Sequence, residues 1–205
     1  MSTTDETPAV LALAVADPAP LGLAAFALTT FLLSAANAGW TKGAANEWLG
    51  YAFAYGGLGQ LLAGMWEFKN KNVFGATAFS TYGGFWIGLG LYFLLSPAAA
   101  NPKSNVLNDL GWILLAFAIF NTYMLIWSSQ VNLAVFTVFL TLEITEILLF
   151  IGFFGGNGAG MGATKIGGIL GVITAVAAWY ASAAGVINGM KGRVVVPVGK
   201  PLFNL

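Results

Sequence analysis

Two carboxylates stand where a carboxylate is costly. Glu143 and Glu146 lie within Leu133 to Phe154, a run with no other charged residue, and no Lys or Arg occupies the centre of any apolar run to pair with them. An ionised side chain at the middle of a bilayer costs about 2.5 to 3.5 kcal/mol on insertion scales, so a carboxylate there keeps a proton, faces a wet cavity or finds a partner. On a helix, Glu146 shares a face with Leu142 and Thr145, while Glu143 is turned about 100° away from Leu142. Two roles are open. If the Leu142 face lines a path for anions, an ionised Glu146 repels them, and Glu146 works there as a proton-holding acid, with Glu143 as the second proton-coupling candidate. Otherwise both residues satisfy Ser, Thr or Asn partners at a helix or protomer contact.

The chemistry that the sequence lacks is equally informative. It contains neither His nor Cys, which removes imidazole acid–base catalysis, thiol nucleophiles, disulfides and thiolate metal sites together. A membrane-embedded enzyme would need an acid, a base and a nucleophile or metal ligands, and the Glu143/Glu146 pair is the only intramembrane carboxylate set. No enzyme activity, metal or cofactor is expected. The basic residues are few and scattered and the formal net charge is zero, so nucleic acid is not an expected partner.

These residues are positioned by a chain built for lipid. Of 205 residues, 58% are hydrophobic and 8% are charged, against about 25% charged in soluble domains, and eight basic plus eight acidic residues cannot cover a water-soluble core of this size. Crossing about 30 Å of hydrocarbon takes about 20 apolar residues in a helix. Six such runs stand between polar breaks, at about 21–37, 48–66, 73–95, 110–127, 133–154 and 166–187. They are too long and continuous for the alternating strands of about ten residues in a β-barrel. The expected fold is an all-α integral membrane protein, a six-helix bundle over 20–188 with a mobile N-terminal tail at 1–19 and a C-terminal tail at 189–205. With both ends on one side, that side carries Lys69, Lys71, Lys191, Arg193 and Lys200 against Lys42, Lys103 and Lys165 opposite, so the positive-inside rule favours cytoplasmic termini. Val10 to Ala16 lacks the positive start of a secretory signal.

Glycine is frequent inside the runs. Gly84/Gly88 and Gly167/Gly171 have the four-residue spacing of close helix crossings, and Gly83–Gly84, in a Ser/Thr-rich stretch, mark the expected place for a locally broken helix. Asp17, just before Pro18 and Pro20, is expected to cap the first helix.

Longer strings carry a family resemblance. Asp17-Pro18-Ala19-Pro20-Leu21-Gly22-Leu23, with Phe26, Thr29-Thr30 and Asn37-Ala38-Gly39, resembles the N-terminal signature of the acetate uptake transporter family, which includes bacterial succinate-acetate permeases and fungal acetate transporters also linked to ammonium export. Tyr55-Gly56-Gly57 with Gln60, Ala63-Gly64 and Glu67, then Phe74-Gly75, Thr77-Ala78-Phe79 and Tyr82-Gly83-Gly84-Phe85-Trp86, match in order, and Gly192-Arg193 with Pro197-Val198-Gly199 looks like the family's ending.

The resemblance implies a plasma- or inner-membrane carrier or channel for acetate and similar small monocarboxylates, with succinate as a further substrate, protons as partners, and six-helix protomers assembled as a homohexamer. It implies a constriction by Phe26, Tyr82 and Leu142, where apolar walls meet a methyl group and the Tyr82 hydroxyl meets a carboxyl. Substrate-contacting or selectivity positions carried over are Asp17, Pro18, Leu21, Gly22, Thr29, Thr30, Gln60 and Ala178. Asp17 stands where the family usually has Asn, and bacterial relatives are mostly apolar around Glu143 and Glu146. Ammonium export and an acid-binding membrane sensor are the competing functions.

Overall fold

The computed structural model describes residues 15–42, 46–95 and 105–203, and within them every regular element is helical. Most of the N-terminal tail and of the loop after Leu95 lies outside the described residues.

The chain forms α1 (Ala19–Asn37), α2 (Leu49–Phe53), a π-helical turn (Ala54–Gly59), α3 (Gln60–Lys69), α4 (Val73–Leu95), α5 (Val106–Ser128), α6 (Leu133–Phe154) and α7 (Gly162–Lys191). Five of these helices are long and apolar enough to cross a membrane, and α2, the π turn and α3 run on as a sixth, interrupted rod. Short side chains start the rods by taking up N–H groups that a first turn leaves without partners. Asn105 accepts from Asn108 N at 3.1 Å, and Asn132 accepts from Val135 N at 2.9 Å. Asn72 accepts from Gly75 N at 3.1 Å at the head of α4. At α1 the residue flanking the helix is Pro18, and Asp17 Oδ1 accepts from Ala19 N at 2.9 Å, so Asp17 holds the entry from one residue further out than expected.

The helices close into a ring in which α1 packs on α7, α7 on α6, α6 on α5 and α3 on α4. Between α4 and α5 the backbones touch little, and aromatic rings bridge the gap: Phe117 lies 4.6 Å from Phe85 and 6.0 Å from Tyr82, centroid to centroid. The outside of the ring is apolar, with Trp112, Ile119, Ile126, Leu94 and Ile173 all exposed, as a lipid-facing or subunit-facing surface requires.

Glycine sets the closest approaches. A Cβ on Gly168 would sit 2.3 Å from Ala38 N, and one on Gly171 would sit 2.2 Å from Ser34 Oγ, so the α7 glycines let α1 lie directly against them. Because Ala38 N is backbone and cannot step aside, Gly168→Ala is expected to destabilise the protein by about 1–3 kcal/mol, the usual cost of overpacking. Thermal unfolding in detergent would show the lowered midpoint.

Two expectations about glycine change. The broken helix is not at Gly83–Gly84, because α4 is continuous from Val73 to Leu95; the irregular turn is Ala54–Gly59. Gly83 instead serves contact, since a Cβ there would sit 2.7 Å from Leu61 N. The Gly84/Gly88 pair makes no crossing within the protomer: nothing lies within 4 Å of a Cβ at either position.

The C-terminal tail is fastened down. Ala134 N donates to Val198 O at 2.9 Å, Leu202 N donates to Ser129 O at 2.7 Å, and Asn188 pins Val195 and Val196. The segment therefore straps the end of α7 to the start of α6.

Candidate functional site

Inside the ring three chambers follow one another along the bundle. The near chamber, at the end where α1 begins, has a volume of about 70 Å³ and is bordered by Leu23, Gln60, Glu67, Asn72 and Phe79. The central chamber has about 40 Å³, with Thr30, Trp86, Thr145 and Glu146 in its wall. The far chamber has about 260 Å³ and is bordered by Asn46, Trp48, Leu107 and Phe153. Phe26, Tyr82 and Leu142 line both the near and the central chamber, so they stand between them. Leu33, Asn37, Phe85, Leu114 and Leu149 line both the central and the far chamber and form a second partition.

The first partition draws on three helices: Phe26 from α1, Tyr82 from α4 and Leu142 from α6. All three are buried, and the rings of Phe26 and Tyr82 meet edge to face with centroids 5.7 Å apart and planes at 65°. Such pairs hold their geometry by quadrupole attraction as well as by burial. Gly22 makes room behind them, since a Cβ there would press into the Phe79 ring at 2.6 Å.

A polar chain leads sideways from this partition. The Tyr82 hydroxyl lies 2.9 Å from Asn121 Oδ1 and 3.3 Å from Glu146 Oε1. Asn121 Nδ2 donates to Phe139 O at 3.0 Å and to Glu143 Oε2 at 2.7 Å, and Thr122 Oγ1 lies 2.8 Å from Glu143 Oε1. Asn121 is fully buried at the hub, while Glu143 is half-buried between α5 and α6. The two carboxylates thus have different surroundings. Glu143 is supplied with donors from α5; Glu146 shares the central chamber with Leu142 and Thr145, and its Oε2 has no partner.

The remaining sequence-derived positions separate. Thr30 borders the central chamber and Gln60 the near one. Gln60 also has a structural task, because its Nε2 donates to Gly56 O at 2.7 Å and so serves a carbonyl within the π turn. Thr29 is fully buried, with its hydroxyl on Ala25 O at 3.1 Å and its side chain against Gly56. Ala178 is enclosed in the helix packing and borders none of the three chambers. Leu21 is exposed, Asp17 is exposed at the mouth, and Pro18 is buried.

Sequence reasoning passed over Asn121, Trp86 and Glu67 as site residues. Asn121 carried a visible signal, a lone amide in the middle of an apolar run. Glu67 is fully buried in the near chamber's wall, with Oε2 taking Asn70 Nδ2 at 3.1 Å and Oε1 unpartnered; at the end of a run, two residues before Lys69, nothing in its spacing marks it as buried. Among the described residues no group of acidic side chains is placed to hold a metal ion.

Comparison with known proteins places this architecture. Acetate permease A of Emericella nidulans is 41% identical over 197 residues, covering 89% of this chain and 65% of that protein, so the chain spans just under two thirds of the fungal relative's length. The succinate-acetate/proton symporter SatP of Escherichia coli is 34% identical over 186 residues, covering 91% of this chain and 96% of the symporter. The solved structure of the bacterial acetate channel SatP superposes with a TM-score of 0.82 at 34% identity, over 90% of this chain and 99% of that one. A family model described as the GPR1/FUN34/yaaH family matches residues 4–200, and the chain belongs to that family.

Proposed function

We propose that the protein carries acetate and similar small monocarboxylates across a membrane, along the three chambers and through the gap between Phe26, Tyr82 and Leu142. The observation that carries this reading is the line of chambers itself, in which one partition has apolar walls and a single phenolic hydroxyl. That combination suits a substrate with one methyl end and one carboxyl end. A dicarboxylate such as succinate must bring a second charged group past the same rings, so it is the poorer substrate.

Glu146 supports a link to protons, because a bare carboxylate beside the path would repel the anion. The names of the relatives fit a transporter or channel rather than an enzyme. The apolar outer surface, with Gly84 and Gly88 open on it, supports assembly of protomers side by side, and a homohexamer is the proposed state. The charge balance of the loops supports a plasma-membrane orientation with both termini in the cytoplasm.

Radiolabelled acetate uptake into proteoliposomes tests the function. The expected result is saturable uptake that unlabelled propionate competes strongly and succinate weakly. Uptake equal to that of protein-free vesicles would refute transport and leave an acid-binding sensor. Competition by ammonium but not by propionate would replace the carboxylate reading with ammonium export. Acetate counterflow separates a carrier, which shows it, from an open channel.

A further inference from the structure

Buried polar atoms normally have partners, and a donor or acceptor left without one costs about 1–3 kcal/mol. Three such atoms belong to the wall of one small space. Thr30 Oγ1, Trp86 Nε1 and Glu146 Oε2 are all buried and without a hydrogen-bond partner, and all three residues line the central chamber. They come from α1, α4 and α6, so no single helix accounts for the coincidence. The chamber's volume of about 40 Å³ puts any occupant against most of its lining; at about 10–15 Å³ for a water, it suits a group the size of a carboxylic acid.

The chemistry of the three groups is specific. An indole N–H only donates, a threonine hydroxyl can donate, and a carboxyl group donates only when it holds a proton. Hydrogen-bond counting supplies that proton. Both hydrogens of Asn121 Nδ2 are engaged, by Phe139 O and Glu143 Oε2, which leaves Asn121 Oδ1 as the acceptor for the Tyr82 hydroxyl at 2.9 Å. Tyr82 has one hydrogen. Its other contact, 3.3 Å to Glu146 Oε1, closes as a hydrogen bond only when Glu146 brings a proton of its own.

We propose that the central chamber is a binding site for one carboxylate group, with Trp86 and Thr30 donating to its oxygens and Glu146 sharing a single proton with it through Oε2. The site rests on the transport reading and names the state in which the substrate is held: an acid–anion pair, neither two anions nor a bare anion among apolar walls. When the chamber fills, a half-turn of the Glu146 carboxyl group takes its proton out of the hydrogen bond to the Tyr82 oxygen and presents it to the ligand, and Tyr82 keeps its bond to Asn121. Phe26, Leu142 and Leu149 remain for the methyl group.

The test is the half-saturation concentration for acetate flux in proteoliposomes, in wild type and in five single variants. Trp86→Phe and Thr30→Val each remove one donor, and each is expected to raise half-saturation about tenfold, the effect of one charge-assisted hydrogen bond. Glu146→Leu is expected to do at least as much. Glu146→Gln, which still donates, stays within about threefold of wild type and loses the weakening that wild type shows as pH rises. Thr30→Ser restores wild-type affinity and excludes a folding defect as the cause. Half-saturation unchanged in Trp86→Phe and Thr30→Val, with wild-type flux intact, would mean that the chamber holds only water, and the site would fall alone. A wild-type half-saturation that does not move with pH would overturn the shared proton. Absence of saturable flux in wild type would instead bring down the transport reading, and the site with it.

Discussion

Phe26→Ala is expected to change which acids pass, raising the flux of butyrate relative to acetate by about tenfold or more. The Phe26 ring stands between the near and central chambers, in edge-to-face contact with Tyr82 and opposite Leu142. Removing it joins two spaces of about 70 and 40 Å³ into one, and the neighbouring rings cannot collapse into the gap without abandoning their own contacts. Truncating a buried Phe usually costs about 3–5 kcal/mol. Here part of the ring faces a chamber, so fewer packing contacts are lost and the protein is expected to fold. Uptake of labelled acetate and butyrate by the same vesicles gives the ratio. A ratio equal to that of wild type would show that the selective barrier lies elsewhere, and the second partition at Phe85, Leu114 and Leu149 would be the place to seek it.

The second large effect concerns stability. Asn121→Leu is expected to destabilise the protein by about 3 kcal/mol or more, because it strands several partners at once. Glu143 Oε2 loses its donor and the Tyr82 hydroxyl loses the acceptor at 2.9 Å, while Phe139 O is left with only its bond within α6. Each buried group left unpaired costs about 1–3 kcal/mol, and more when it is charged. The double variant Asn121→Leu, Glu143→Leu removes both ends of the 2.7 Å contact and is expected to recover a large part of the loss, since apolar replacement of a whole pair is often nearly neutral. Thermal midpoints of the two single variants and the double variant form a cycle. If the double loss equals the sum of the two single losses, the residues are uncoupled and Asn121 is not a hub.

The helical class was legible because long uncharged runs have few ways to satisfy their backbone except as helices in lipid. The face shared by Leu142, Thr145 and Glu146 followed from helical spacing alone, and these three do line one chamber. What escaped the sequence was tertiary. Whether a glycine breaks a helix or admits a neighbour depends on what lies opposite, so Gly83 was read as a break when it makes room for Leu61. The unpartnered nitrogen of Trp86 and the hub at Asn121 are defined by groups on other helices, which no spacing rule reaches. The fastening of the C-terminal tail was not legible because its anchors, Ser129 and Ala134, are far away in the sequence.

The π-helical turn has a consequence for the phase of the second rod. Such a turn carries one residue more than the α-helical turn it replaces, so the stretches on either side are offset by about 100° from a continuous screw. Deleting a single residue between Ala54 and Gly59 would let the rod wind without interruption, but only by spinning one half against the other. Either fully buried Gln60 or nearly buried Trp48 would swing out towards the lipid. Length within this turn is therefore as tightly specified as residue type, and a shortened chain would need a compensating insertion within the same rod to keep both side chains indoors.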